Sequence, residues 1–206
     1  MSQTENGISK DPEGKLILKI KSGPSIDFSA LFQRGFQVVT AGERSLKDFL
    51  STELGLLPSY IDERVQTMFL DGRAVDDPDR AVVSGGSTVS LSAAMPGLLG
   101  ATLRRGSYYA AMRKEISYKA RSVKAEDRNN IVTVKLFNLM AREIAPELVL
   151  KGVWLSGKDL AEFLKGRSDL FGPLVETALL NGKETPSGNL IESLSGMERV
   201  FFRIAE

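Results

Sequence analysis

Thr67-Met-Phe-Leu-Asp71-Gly72-Arg73 returns later in the chain as Thr177-Ala-Leu-Leu-Asn181-Gly182-Lys183. Each is a short apolar run ending in Asp-Gly or Asn-Gly. That pair of residues is the strongest short-range signal for a tight turn between antiparallel strands. Working outward, each turn is preceded by a capped helix. Ser45 and Asp48 open a segment whose apolar face is Leu46, Phe49, Leu50 and Leu54, and Gly55 closes it. Ser156 and Asp159 open another with Leu160, Phe163 and Leu164 on one face, closed by Gly166. A Ser N-cap with an acidic residue three positions on is a helix-start pattern.

Farther out lie the strands. Lys15 to Lys21 and Phe36 to Thr40 precede the first helix; Ile131 to Phe137 and Leu150 to Leu155 precede the second. The second copy ends in Arg199 to Ile204, where Val200, Phe202 and Ile204 alternate with Phe201 and Arg203, so one face is expected to be wet. In the first copy, Ala81 to Val83 and Thr88 to Leu91 flank the turn Ser84-Gly85-Gly86, and Ser195-Gly196 matches Ser84-Gly85. The repeat is roughly 80 residues long, whereas solenoid units run to about 20–50. It has the size of a small domain. The expected organisation is a polar tail over 1–14 without a targeting leader, domain 1 over 15–97, a connector over 98–130 and domain 2 over 131–206.

Composition excludes much chemistry. The chain has no His and no Cys. Disulfides, thiolate nucleophiles, Ser-His-Asp triads and ordinary transition-metal sites cannot be built. Asp76, Asp77 and Asp79 flank Pro78, yet they lack the spacing of a calcium loop and read as a solvated turn. No catalytic residue, metal or cofactor is expected, and the protein is read as a non-enzyme. The net charge of +1 gives no global field toward nucleic acid or membrane, so neither is expected as a partner. A protein partner is expected, in the cytoplasm. Trp154, the only Trp, is read as a core residue.

The order of elements resembles the ubiquitin-like, or β-grasp, fold, here in tandem: α+β, with a mixed sheet and one main helix in each copy. Phe69-Leu-Asp71-Gly72-Arg73 to Pro78, followed by Ser84-Gly85-Gly86 to Pro96-Gly97, is similar to the sulfur-carrier proteins of thiamin and molybdopterin synthesis; Val132 to Ile144 resembles the first strand and loop of the molybdopterin partner. The resemblance implies either an adaptor acting through its sheet or a partner in sulfur transfer. Carriers of that family end in Gly-Gly. This chain ends Phe202-Arg-Ile-Ala-Glu206, so carrier chemistry would need cleavage after Gly97, Gly100 or Gly106.

The connector is basic. Arg104, Arg105, Arg113, Lys114, Lys119, Arg121 and Lys124 surround a single acid, Glu115, and Tyr108 and Tyr109 lie among them. The candidate binding residues are Gly97, Gly100, Arg104, Arg105, Gly106, Tyr108, Tyr109, Arg113 and Lys114. Three uses compete: a linker whose apolar residues pack while its charges stay solvated, a dock for an acidic partner or phosphate, and weak RNA or anion binding.

Overall fold

The computed structural model describes residues 14–21, 26–119 and 130–205. In chain order the strands and helices are β1 (Gly14–Ile20), α1 (Ser29–Arg34), β2 (Phe36–Val39), β3 (Arg44–Ser45), α2 (Leu46–Thr52), α3 (Pro58–Glu63), β4 (Thr67–Leu70), β5 (Arg73–Ala74), β6 (Val82–Val83), β7 (Thr88–Ser92) and α4 (Gly97–Leu103). A 3-10 helix (Tyr108–Ile116) follows, then β8 (Ile131–Phe137), α5 (Leu139–Lys151), β9 (Val153–Ser156), α6 (Gly157–Lys165), α7 (Ser168–Leu174), β10 (Val175–Leu180), β11 (Lys183–Glu184), α8 (Ser187–Ser195) and β12 (Arg199–Ala205). The protein is α+β. Among the described residues, no helix is long and apolar enough to cross a membrane.

The chain forms two compact units. One is Pro24–Val153; the other joins Met1–Gly23 to Trp154–Glu206. This division differs from the boundaries expected at 97/98 and 130/131. In the Pro24–Val153 unit the strand order is β2-β8-β7-β4-β5. β7 and β8 run parallel, with Val89 opposite Val134 and Leu91 opposite Leu136; β2–β8, β7–β4 and β4–β5 are antiparallel. In the other unit the order is β9-β12-β1-β10-β11. There β1 and β12 are the parallel pair, with Leu16 opposite Phe202, while β1–β10 and β10–β11 are antiparallel.

The opening strands have therefore changed places relative to the sequence reading. β1, expected to open the first copy, is an interior strand of the Trp154–Glu206 unit. β8, expected to open the second copy, is an interior strand of Pro24–Val153. The physical reason lies in the connection. A parallel pair needs a crossover of a dozen or more residues, and the segment expected to be a linker supplies it between β7 and β8. β1 and β8 also carry the same alternation, with Leu16 and Leu18 buried in one and Val132, Val134 and Leu136 in the other. Either pattern satisfies a sheet with one buried face.

The strands of the two units nevertheless correspond in order, and the repeated turns show how. Asp71 and Asn181 both have positive φ, at 51° and 52°. Asp71 Oδ1 accepts from Thr88 N at 2.7 Å, and Asn181 Oδ1 accepts from Lys15 N at 2.8 Å. Thr88 N–H and Lys15 N–H are thus equivalent, so β1 fills the position that β7 fills in the other unit. Both capped helices form as expected. Ser45 Oγ accepts from Asp48 N at 3.1 Å and Ser156 Oγ from Asp159 N at 3.3 Å.

One main helix per copy is not what the chain builds. α5 occupies a stretch expected as loop and strand; Leu150 and Lys151 end a helix, and the strand begins at Val153 after Gly152, whose φ is 101°. α5 tolerates Pro146 while burying Met140, Ala141, Ile144, Ala145, Leu148 and Val149. α8 buries Leu190 and Leu194 beside α6. Residues 1–13 of the expected tail and 120–129 of the connector, including Arg121 and Lys124, lie outside the described residues, while Gly14 opens β1.

Candidate functional site

The candidate site is the connector as it lies on the Pro24–Val153 unit. It begins with α4, whose first residue, Gly97, has φ 74° and open space around its Cα. Gly100 is the opposite case. A Cβ there would lie 1.8 Å from the Met95 carbonyl oxygen, so the helix can approach this backbone only with glycine. Gly106, at φ 65°, turns the chain after the helix. Gly97 and Gly100 thus belong to a packed helix, not to an extended tail.

The basic residues divide into two groups. Arg113 is a structural hub, its side chain only 1% exposed. Its guanidinium donates to the Thr102 carbonyl at 2.8 Å, Ser117 Oγ at 3.0 Å and Asp76 Oδ1 at 2.5 Å. A buried guanidinium is tolerated only with such partners. Asp76 Oδ1 also accepts from Gly106 N at 3.3 Å. Asp76 differs from the solvated turn its sequence predicts: its side chain is 44% exposed, yet it anchors the connector.

Arg105 is likewise occupied. Its backbone N donates to the Gln66 carbonyl at 2.8 Å, and its guanidinium reaches the carbonyls of Asp62 at 2.9 Å and Ile61 at 3.3 Å, at the end of α3. The far end is fixed too: Tyr118 N donates to the Ala74 carbonyl at 2.7 Å, and Val82 N donates to the Tyr118 hydroxyl at 3.2 Å. Of the candidate cations, Arg104 is left exposed, and the side chain of Lys114 lies outside what the structure describes. The connector is thus a folded layer and not a free linker.

Its outer surface is apolar. Tyr108 is 91% exposed, Met112 70% and Leu98 66%, with Leu99, Tyr109 and Ile116 also exposed. Tyr108 and Tyr109 meet edge-on, ring centres 5.5 Å apart. Beside them an open groove of about 520 Å³ is lined by Met95, Pro96, Gly97, Arg104, Tyr108 and Tyr109. Four of the nine candidate residues therefore line one groove, Gly97, Arg104, Tyr108 and Tyr109, while Gly100 is packed beneath it against Met95. Arg105 and Arg113 face inward and hold the layer down.

A second cluster escaped sequence reading. Glu143 of α5 accepts from the Tyr60 hydroxyl at 2.6 Å and from Arg64 Nε at 3.1 Å and pairs with Arg64 Nη2. The guanidinium beside Glu143 holds its carboxyl below the usual carboxylate range. Burial, then the hydrogen bond to Glu143, pushes the Tyr60 phenol up. The partners are 79 and 83 positions apart, so no local pattern announces them. Among the described residues no group of three or more acidic side chains is placed to hold a metal ion.

No protein-family model matches the chain, and no match was found among curated proteins or solved structures.

Proposed function

We propose that the protein is a non-enzymatic protein-binding module, built on two ubiquitin-like β-grasp units that have exchanged a strand, and that its docking surface is the outer face of the connector. The observation that carries this reading is the pairing of exposed apolar side chains with a rigid base. Tyr108 and Met112 project outward while Arg113, in the same 3-10 helix, is pinned by three hydrogen bonds. Large apolar groups exposed together mark interaction sites more often than they mark tolerance, and a rigid base lowers the ordering cost of binding. Tyr is also among the residues enriched at binding hot spots. Arg104 at the groove suits a partner segment that places an apolar side chain near Tyr108 and a carboxylate near the guanidinium.

The test is site-specific photo-crosslinking from position 108 in cells, read by mass spectrometry. A discrete protein adduct is expected, lost when Met112→Ser and Arg104→Glu are added. An adduct pattern unaffected by those changes would count against the groove as the docking surface.

A further inference from the structure

The Met1–Gly23 and Trp154–Glu206 unit has one sheet face covered by helices, and on the other, among the described residues, Lys15, Lys19 and Arg203 are exposed and Trp154, Phe201 and Arg199 half-buried. On the covered side Leu18 and Ala178 share an apolar crevice with Leu164, Phe171 and Leu190 from α6, α7 and α8. Strand alternation sends the intervening residues the other way. β1 contributes Lys15, Ile17 and Lys19; β12 contributes Arg199, Phe201 and Arg203; β9 contributes Trp154.

Register brings these together. Lys15 is opposite Phe201, and Ile17 is opposite both Arg203 and Leu179. The Phe201 and Trp154 rings meet with centroids 5.0 Å apart. Arg199 lies over the indole at 5.1 Å and Lys15 over the Phe201 ring at 5.9 Å. Among the described residues, Lys15, Lys19, Arg199 and Arg203 make no ion pair. The carboxylate that register carries to this face, Glu184, sits on edge strand β11 opposite Leu179.

The sister unit supplies an internal control. The residues equivalent to the Lys15–Phe201 and Ile17–Arg203 pairs are Thr88–Thr133 and Ser90–Lys135. The same sheet is thus built without any aromatic or dense positive charge at these positions, so the fold does not demand them.

We propose that this face binds single-stranded nucleic acid, with unpaired bases stacking on Trp154 and Phe201 and phosphates meeting Lys15, Lys19, Arg199 and Arg203. Aromatic side chains in a cationic setting are what sequence-tolerant binding of single strands requires, and sheet-borne aromatics serve RNA in the same way. An acidic protein segment would satisfy the cations but would leave the ring pair unused. The whole-chain charge of +1 conceals this local excess. It also implies modest affinity that depends steeply on salt.

Trp154 is the only Trp, so its fluorescence reports the site directly. The full chain is titrated at low salt with a twelve-nucleotide oligo(U). Quenching is expected, with a salt slope of about −3 if four phosphates are neutralised. Phe201→Ser is expected to weaken binding about tenfold. Lys15→Gln with Arg203→Gln, both exposed positions that should fold normally by circular dichroism, is expected to flatten the slope by about 1.4. Arg104→Ala, at an exposed position of the connector, is expected to leave the titration unchanged, which separates this site from the connector surface. The proposal is overturned if oligo(U) does not quench, if poly-Glu quenches as strongly, if a duplex binds equally well, or if the connector variant rather than the sheet variants abolishes binding.

Discussion

Asp76 Oδ1 lies 2.5 Å from Arg113 Nη2 and 3.3 Å from Gly106 N, so one carboxylate holds the connector at two points. Removing it would leave a guanidinium buried without its counter-charge. Breaking a buried pair in this way costs about 3–5 kcal/mol, and the partial exposure of Asp76 moderates that. Asp76→Ala is expected to destabilise the Pro24–Val153 unit by about 2–3 kcal/mol in denaturant unfolding. Asp76→Asn keeps an acceptor and should cost less. Equal stability of Asp76→Ala and the parent chain would show that Arg113 does not depend on this contact.

The Tyr60–Arg64–Glu143 cluster should give stability limits on both sides of neutrality. The Glu143 carboxyl is held low by Arg64, so its contribution is present above the unfolded-state value near 4.3 and is lost as pH falls through the lowered native value. The Tyr60 phenol is held high, so its contribution is present below the unfolded-state value near 10 and is lost as pH rises beyond it. Glu143→Gln should therefore be less stable than the parent at pH 7, with the gap narrowing toward pH 3. A gap independent of pH would contradict the assignment.

Two glycines of the connector should fail for different reasons. Gly100→Ala drives a methyl group into the Met95 carbonyl. Overpacking of this kind costs about 1–3 kcal/mol, and backbone as the obstacle places it at the upper end. Gly97→Ala meets no neighbour but must hold φ 74°, which costs about 1–2 kcal/mol. Thermal melts should rank Gly100→Ala below Gly97→Ala. The reverse order would mean that α4 can shift away from Met95.

Outward side chains of the connector should matter little to folding. Tyr108→Ser and Met112→Ser alter groups that are 91% and 70% exposed. Each is expected to change stability by no more than about 0.5 kcal/mol. A larger loss would place these side chains in the fold rather than on a docking surface.

Local chemistry was legible and partnership was not. The Ser caps and the Asp71-Gly72 and Asn181-Gly182 turns depend on neighbours a few positions away, and they form as their spacing indicates. The choice of sheet for β1 and β8 depends on residues more than 40 positions off. Their alternation is identical in kind, so pattern alone gives no preference. α8 was hidden by Gly188, Asn189 and Pro186, although Leu190, Ile191 and Leu194 carried a helical spacing. α5 was hidden by Pro146. The connector's basic run split into inward and outward members only once Arg113 found Asp76. Trp154, read as core, proved half-buried against Phe201 and Arg199, a pairing that exists only after β9 and β12 are brought together.

β1 lies in the unit that contains Trp154–Glu206 and β8 in Pro24–Val153, and amide hydrogen exchange on a chain lacking residues 1–21 tests that membership. β1 contributes an interior strand between β10 and β12. Its removal should abolish protection at Leu179 and Phe201, whose amides face it, while Leu91 keeps its own. Loss of protection at Leu91, with Leu179 and Phe201 unaffected, would return β1 to the first copy.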